Sequence, residues 1–146
     1  MDNNQVEILL IEDNPNDAEL TIRALKKNNI FNSLVHLENG ELALDFLFGR
    51  GVYAERDINQ KPVVILLDLK MPKVDGIEVL EAIKSNELTR KIPVIILTSS
   101  REFPDIERCY TLGVNSYIVK PVDFENFMAA VKQLGMYWLL LNQSSQ

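Results

Sequence analysis

Short runs of branched apolar residues alternate with amphipathic stretches along this chain, five times over. Val6–Ile11 (VEILLI), Ser33–Leu37 (SLVHL), Val63–Leu67 (VVILL), Pro93–Leu97 (PVIIL) and Asn115–Val119 (NSYIV) read as strands. The third is apolar throughout, as a strand covered on both faces should be. The fourth opens on proline, where a missing donor is tolerated. After the cap-and-proline pair Asn14-Pro15, the residues Ala18, Thr21, Ile22 and Leu25 share one helical face. Leu42, Ala43, Phe46 and Leu47 do the same after Asn39-Gly40, and Val79, Leu80 and Ile83 follow the capping-box spacing Asp75-Gly76-Ile77-Glu78. Helical signal over Pro104–Leu112 is modest. A last helix starts near Asp123, with Phe127, Val131, Leu134 and Trp138 on one side. Such alternation predicts an α/β fold, a doubly wound five-stranded parallel sheet with helices on both faces.

A length of 146 residues suits one domain with a real core. We expect a single domain over 1–146, its core spanning about 6–134, with a C-terminal helix extension over 135–142. The net charge of -6 argues against duplex nucleic acid as a partner, because lysine and arginine must neutralise phosphates there. No secretory signal and no run long enough to span a membrane is visible, so the expected setting is cytoplasmic. The lone cysteine, Cys109, fits a reducing compartment and reads as a small buried side chain rather than a catalytic thiol. The only histidine, His36, has no second histidine or cysteine nearby, which argues against a metal role. One connection, Gly49–Pro62, is long: it reads either as functional or mobile, or as a tolerated surface insertion.

The polar residues that end the strands carry the chemistry. Strand one ends in Glu12-Asp13, strand three in Asp68, strand four in Thr98-Ser99 and strand five in Lys120-Pro121. Open parallel sheets bind ligands at that edge, and the strand order 2-1-3-4-5 would bring these ends together. Two carboxylates about 5 Å apart repel by about 3 kcal/mol at an effective dielectric constant of 20, so three together call for a cation. Hard oxygen ligands suit Mg²⁺. With a lysine and a hydroxyl at the rim, the set suits phosphoryl transfer to an aspartate. Each feature alone reads more often as a cap or a turn; the weight lies in their coincidence at four strand ends.

As a set, Glu12-Asp13-Asn14, Leu67-Asp68-Leu69-Lys70-Met71-Pro72 with Asp75-Gly76, Leu97-Thr98-Ser99 and Tyr117-Ile118-Val119-Lys120-Pro121 resemble the successive signatures of the response-regulator receiver family. The likeness runs from about Val6 to about Leu134. It implies a flavodoxin-like (βα)5 fold and a two-component phosphorelay protein that acts as a phosphoacceptor rather than as a turnover enzyme. It implies that Asp68 takes a phosphoryl group from a sensor histidine kinase, and that Glu12, Asp13, Asp68 and the backbone carbonyl of Lys70 hold Mg²⁺. Thr98 and Lys120 would bind phosphoryl oxygens, Thr98 and Tyr117 would form the switch, and the bond before Pro121 would be cis. The long loop, Lys70-Met71-Pro72 and the apolar tail Met136–Leu141 are similar to those of receivers that serve cyanobacterial and bacterial phytochrome kinases. The tail is apolar all round, so we expect it to cover a partner or a second copy, giving a dimer through the fourth helix, fifth strand and C-terminal helix.

Three rivals are weaker. A phosphatase of the haloacid-dehalogenase type has a second aspartate two residues after the nucleophile, where Lys70 stands here. A receiver-like module that works without phosphorylation would lack the aspartate, the acid pair or the lysine, and all are present. A flavodoxin-like flavin carrier needs a phosphate loop after the first strand, where Glu12-Asp13 would repel the phosphate.

Overall fold

The computed structural model describes residues 8–27, 33–71, 73–99, 103–114 and 116–134. The elements follow in the order β1 (Ile8–Ile11), α1 (Pro15–Lys27), β2 (Leu34–Leu37), α2 (Gly40–Phe48), β3 (Val64–Asp68), α3 (Gly76–Ser85), β4 (Val94–Thr98), α4 (Phe103–Thr111), β5 (Ser116–Val119) and α5 (Phe124–Gln133). All strand neighbours pair in parallel, in the order β2-β1-β3-β4-β5. The expected doubly wound sheet is therefore the one found, with boundaries shifted by a residue or two. Val6, Pro72, Asn115 and the expected helix extension over 135–142, with Met136–Leu141, lie outside the described residues.

The central strands β1, β3 and β4 are buried along their whole length and apolar up to the terminal Asp68 and Thr98, because both faces are covered. Leu9, Ile11, Ile65, Leu67 and Ile96 pack with Phe46, Leu47, Val79, Leu80 and Ile83 of α2 and α3. The alternate residues Ile8, Leu10, Val64, Leu66, Ile95 and Leu97 pack with Ala18, Leu25, Phe127 and Val131 of α1 and α5. The period of two along each strand thus divides the interior into two cores. Cys109 is buried in the first of them, as a small core side chain.

Helix starts line the edge where the strands end, and those of α1, α2, α3 and α5 are capped. Asn14 Oδ1 accepts from the N–H groups of Asn16 and Asp17 at 2.9 and 3.1 Å. Asn39 Oδ1 accepts from Leu42 at 2.8 Å. Asp75 and Glu78 form a reciprocal capping box, as do Asp123 and Asn126. Caps of this kind are worth about 1 kcal/mol each. Gly76 sets how close α3 comes to the sheet. A Cβ there would lie 2.3 Å from the carbonyl oxygen of Asp68 and 2.5 Å from Cα of Leu69. The Gly76 N–H instead donates to the Leu69 carbonyl at 2.9 Å.

The Gly49–Pro62 connection is pinned to α2. Gly49 takes the left-handed conformation at φ 67, and a short 3-10 turn follows over Gly51–Tyr53. The Arg56 guanidinium lies 3.8 Å from the centre of the Phe46 ring and donates to the carbonyls of Phe46 and Gln60. The Tyr53 ring meets Phe46 edge-on at 5.1 Å. The loop joins a helix end to a strand start, on the side of the sheet opposite Asp68, as a built surface insertion would. Arg56→Ala removes the central tie and should cost about 1–2 kcal/mol. Amide hydrogen exchange would then accelerate across 50–60 and leave β1 and β3 protected; unchanged exchange in the loop would show that Arg56 does not hold it.

Candidate functional site

The parallel register lines up the strand ends. Ile11 pairs with Leu67, Asp68 with Leu97 and Thr98 with Val119, so the residues that end β1, β3, β4 and β5 stand side by side. Glu12, the residue after β1, is fully buried, and Asp13 beside it is half-buried. Asp68 ends β3 at 3% exposure and Thr98 ends β4 fully buried. Lys120 follows β5 directly and reaches back over the sheet edge.

The carboxylates of Glu12, Asp13 and Asp68 each offer an oxygen, and these atoms all lie within 4.8 Å of one another. The Lys120 ammonium lies 2.8 Å from Glu12 Oε1 and 3.2 Å from Asp68 Oδ1. Its third contact, 3.2 Å to Asp17 Oδ2, was missed from the sequence. The signal was there: Asp17 is an acidic residue in the first turn of α1, a turn that starts at the same sheet edge.

These distances have electrostatic consequences. Burial, followed by the adjacent Glu12 carboxylate, pushes the Asp68 carboxyl up to about 8, against the opposing pull of Lys120. Lys120 moves in its own stable direction: burial lowers its proton affinity, but Glu12, Asp68 and Asp17 together raise it above the ordinary lysine range. Glu12 Oε1 is buried with that ammonium as its ion-pair partner, yet lacks a directed hydrogen bond. A cluster of hard oxygens with more negative than positive charge fits a divalent cation of the Mg²⁺ type.

The remaining predicted residues surround this cluster. Thr98 Oγ1 donates to the carbonyl of Ser99 at 3.0 Å, and the backbone N–H of Lys120 donates to the carbonyl of Thr98 at 2.8 Å. Tyr117 is half-buried on β5, its ring edge-on to Tyr110 of α4 at 6.3 Å. The Lys70 side chain is exposed, while its N–H approaches Asp68 Oδ1 at 3.4 Å. The Lys120–Pro121 peptide is cis.

The family model for the response regulator receiver domain matches residues 8–132. The probable methanogenesis regulatory protein FilR2 of Methanothrix harundinacea is 42% identical over 137 residues, covering 94% of this chain and 86% of its own. Response regulator Rcp1 of Synechocystis is 38% identical over 132 residues, covering 90% of this chain and 88% of its own. The Mn²⁺-bound crystal structure of Rcp1 aligns at a TM-score of 0.73 and 37% identity, over 92% of this chain and 94% of that one. The bacteriophytochrome response regulator AtBRR aligns at a TM-score of 0.84 and 50% identity, over 92% of this chain and 96% of its own. On the match across both cores and all four strand ends, this chain belongs to the response-regulator receiver family, whose members bind a divalent metal and take phosphoryl groups from histidine kinases, and it is a signalling protein, a two-component phosphorelay response regulator.

Proposed function

We propose that Asp68 is the phosphoacceptor of this chain and that Mg²⁺ is its metal. The observation that carries this reading is the convergence of Asp68, Lys120 and the Glu12-Asp13 pair at one point of the sheet edge. An Asp68 carboxylate oxygen attacks the phosphorus of a phosphohistidine on the kinase. The P–N bond breaks and its electron pair stays on the imidazole nitrogen. Lys120, already 3.2 Å from Asp68, pairs with a phosphoryl oxygen as negative charge builds. Thr98 turns its hydroxyl from the Ser99 carbonyl to another phosphoryl oxygen. Glu12, Asp13, Asp68 and the Lys70 carbonyl would hold a divalent cation, which would supply positive charge that favours the ionised Asp68 and offsets the incoming phosphate.

Phosphorylation adds nearly two negative charges and three acceptors to this buried spot. The inward turn of Thr98 leaves room for Tyr117, whose ring abuts α4 through Tyr110. Reversing a 99:1 population takes about 5.5 kcal/mol, within reach of two or three charge-assisted hydrogen bonds. The output face of α4 and β5 already exposes Tyr110 and Val119, at 48% and 41%. This supports contact with a second copy through α4, β5 and the C-terminal segment. Likeness to the bacteriophytochrome response regulator AtBRR favours a sensor kinase of the phytochrome class as partner, in a cytoplasmic setting, and the net charge of -6 favours a partner other than nucleic acid. Among the described residues, no helix is long and apolar enough to cross a membrane.

Incubation with acetyl phosphate and Mg²⁺ should add one phosphoryl mass to the intact protein, and Asp68→Asn or removal of Mg²⁺ should abolish the gain. No gain under conditions that phosphorylate another receiver would leave a binding module that works without phosphorylation. In metal-free buffer near neutral pH, Asp68→Asn should raise stability by about 1–3 kcal/mol, because it removes a buried acid that its surroundings hold unfavourably. Added Mg²⁺ should raise the Tm of the wild type and barely move that of the variant; equal responses would place the metal elsewhere. Light scattering after size exclusion should detect a dimer, and a monomer at high micromolar concentration, with and without phosphodonor, would remove the second-copy reading.

A further inference from the structure

His36 sits on the edge strand β2 and takes no part in the acidic cluster. It nevertheless touches the chain that carries that cluster. β2 ends at Leu37, whose carbonyl accepts the Glu12 N–H at 3.1 Å. Beyond it the chain turns towards α2, which is capped at Asn39. The ladder therefore stops one group short: among the described residues, no backbone N–H reaches the Glu12 carbonyl. Its partner is the His36 side chain, with Nε2 at 2.8 Å. A carbonyl only accepts, so the ring presents Nε2–H, and this contact sets the tautomer.

The Glu12 carbonyl belongs to the peptide that joins Glu12 to Asp13. Its orientation sets the direction in which both side chains leave the backbone, since the peptide is planar. With the N–H of Glu12 held by Leu37 and the carbonyl held by His36, β2 engages both backbone polar groups of this residue. We propose that His36 is a positioning residue for the metal site: its Nε2–H replaces the missing ladder donor and orients Glu12 and Asp13 before the cation arrives. This rests on the reading of Glu12, Asp13 and Asp68 as the metal site. Groups that orient ligands without touching the metal often affect affinity nearly as much as the ligands do.

The test is titration with Mn²⁺, following the free ion by electron paramagnetic resonance, on the wild type and on His36→Phe, His36→Leu and His36→Gln. Phe keeps a ring of similar shape without the donor, Leu is a second donor-free replacement should Phe prevent folding, and Gln restores an N–H within reach. The donor-free variants should bind Mn²⁺ about threefold to tenfold more weakly, as the loss of one hydrogen bond implies. Gln should recover most of that loss, while metal-free Tm values stay within a few degrees of one another. Wild-type affinity in the Phe and Leu variants would overturn the inference, as would a Gln variant as weak as Phe. A wild type that binds no Mn²⁺ would instead sink the metal-site reading itself.

Discussion

One ammonium stands among four carboxylates, and the functional edge of the molecule is organised around it. Lys120 contacts Glu12, Asp17 and Asp68, while Asp13 completes the acidic group beside them. In water this arrangement would be inconsequential. Here Glu12 is fully buried and Asp68 nearly so, and at a low effective dielectric each unpaired charge is worth several kcal/mol. A divalent cation would offset this imbalance, and its positive charge would also be what lets a dianionic phosphoryl group enter the same spot. The fold carries this strain because the central strands β1, β3 and β4 beneath it are packed on both faces and paired on both sides.

Holding the cluster at the strand ends depends on backbone geometry more than on the charged residues. Gly76 lets the first turn of α3 lie directly on Asp68 and Leu69, where any Cβ would collide. The caps at Asn14, Asn39, Asp75 and Asp123 fix four helix N-termini at the same edge and take up some of their N–H donors. The Asp68 carboxylate thus sits on a rigid strand terminus rather than on a loop, which favours precise placement.

Much of this was legible in the sequence because it follows from local chemistry. Short branched apolar runs and helical apolar patterns gave the element order, and the polar residues after each run gave Glu12, Asp13, Asp68, Thr98 and Lys120. What escaped depends on distances between segments far apart in the chain. Asp17 lies 103 residues from Lys120, and its place in the first turn of α1 marks the sheet edge it stands at but not the partner it meets. Gly76 read as part of a motif, but its need to be glycine arises from the backbone it rests on. Arg56 gave no local hint that it would bind Phe46 and close the long loop. His36 was set aside because it had no metal-binding neighbours; its partner is a backbone carbonyl, which no residue pattern reveals.

The same non-local wiring gives the proposed signal a physical route. Thr98 and Lys120 are joined by a backbone hydrogen bond of 2.8 Å, so the ends of β4 and β5 move together or strain that bond. Three residues before Lys120, Tyr117 sits half-buried with its ring against Tyr110 of α4. A displacement of Thr98 towards a phosphoryl oxygen therefore acts on β5 through the backbone and on α4 through a ring contact. Packed interiors respond to such shifts by switching between arrangements rather than by deforming smoothly. Metal and phosphate at one end of β4 and β5, and a partner surface at the face of α4 and β5, are then linked ends of one equilibrium.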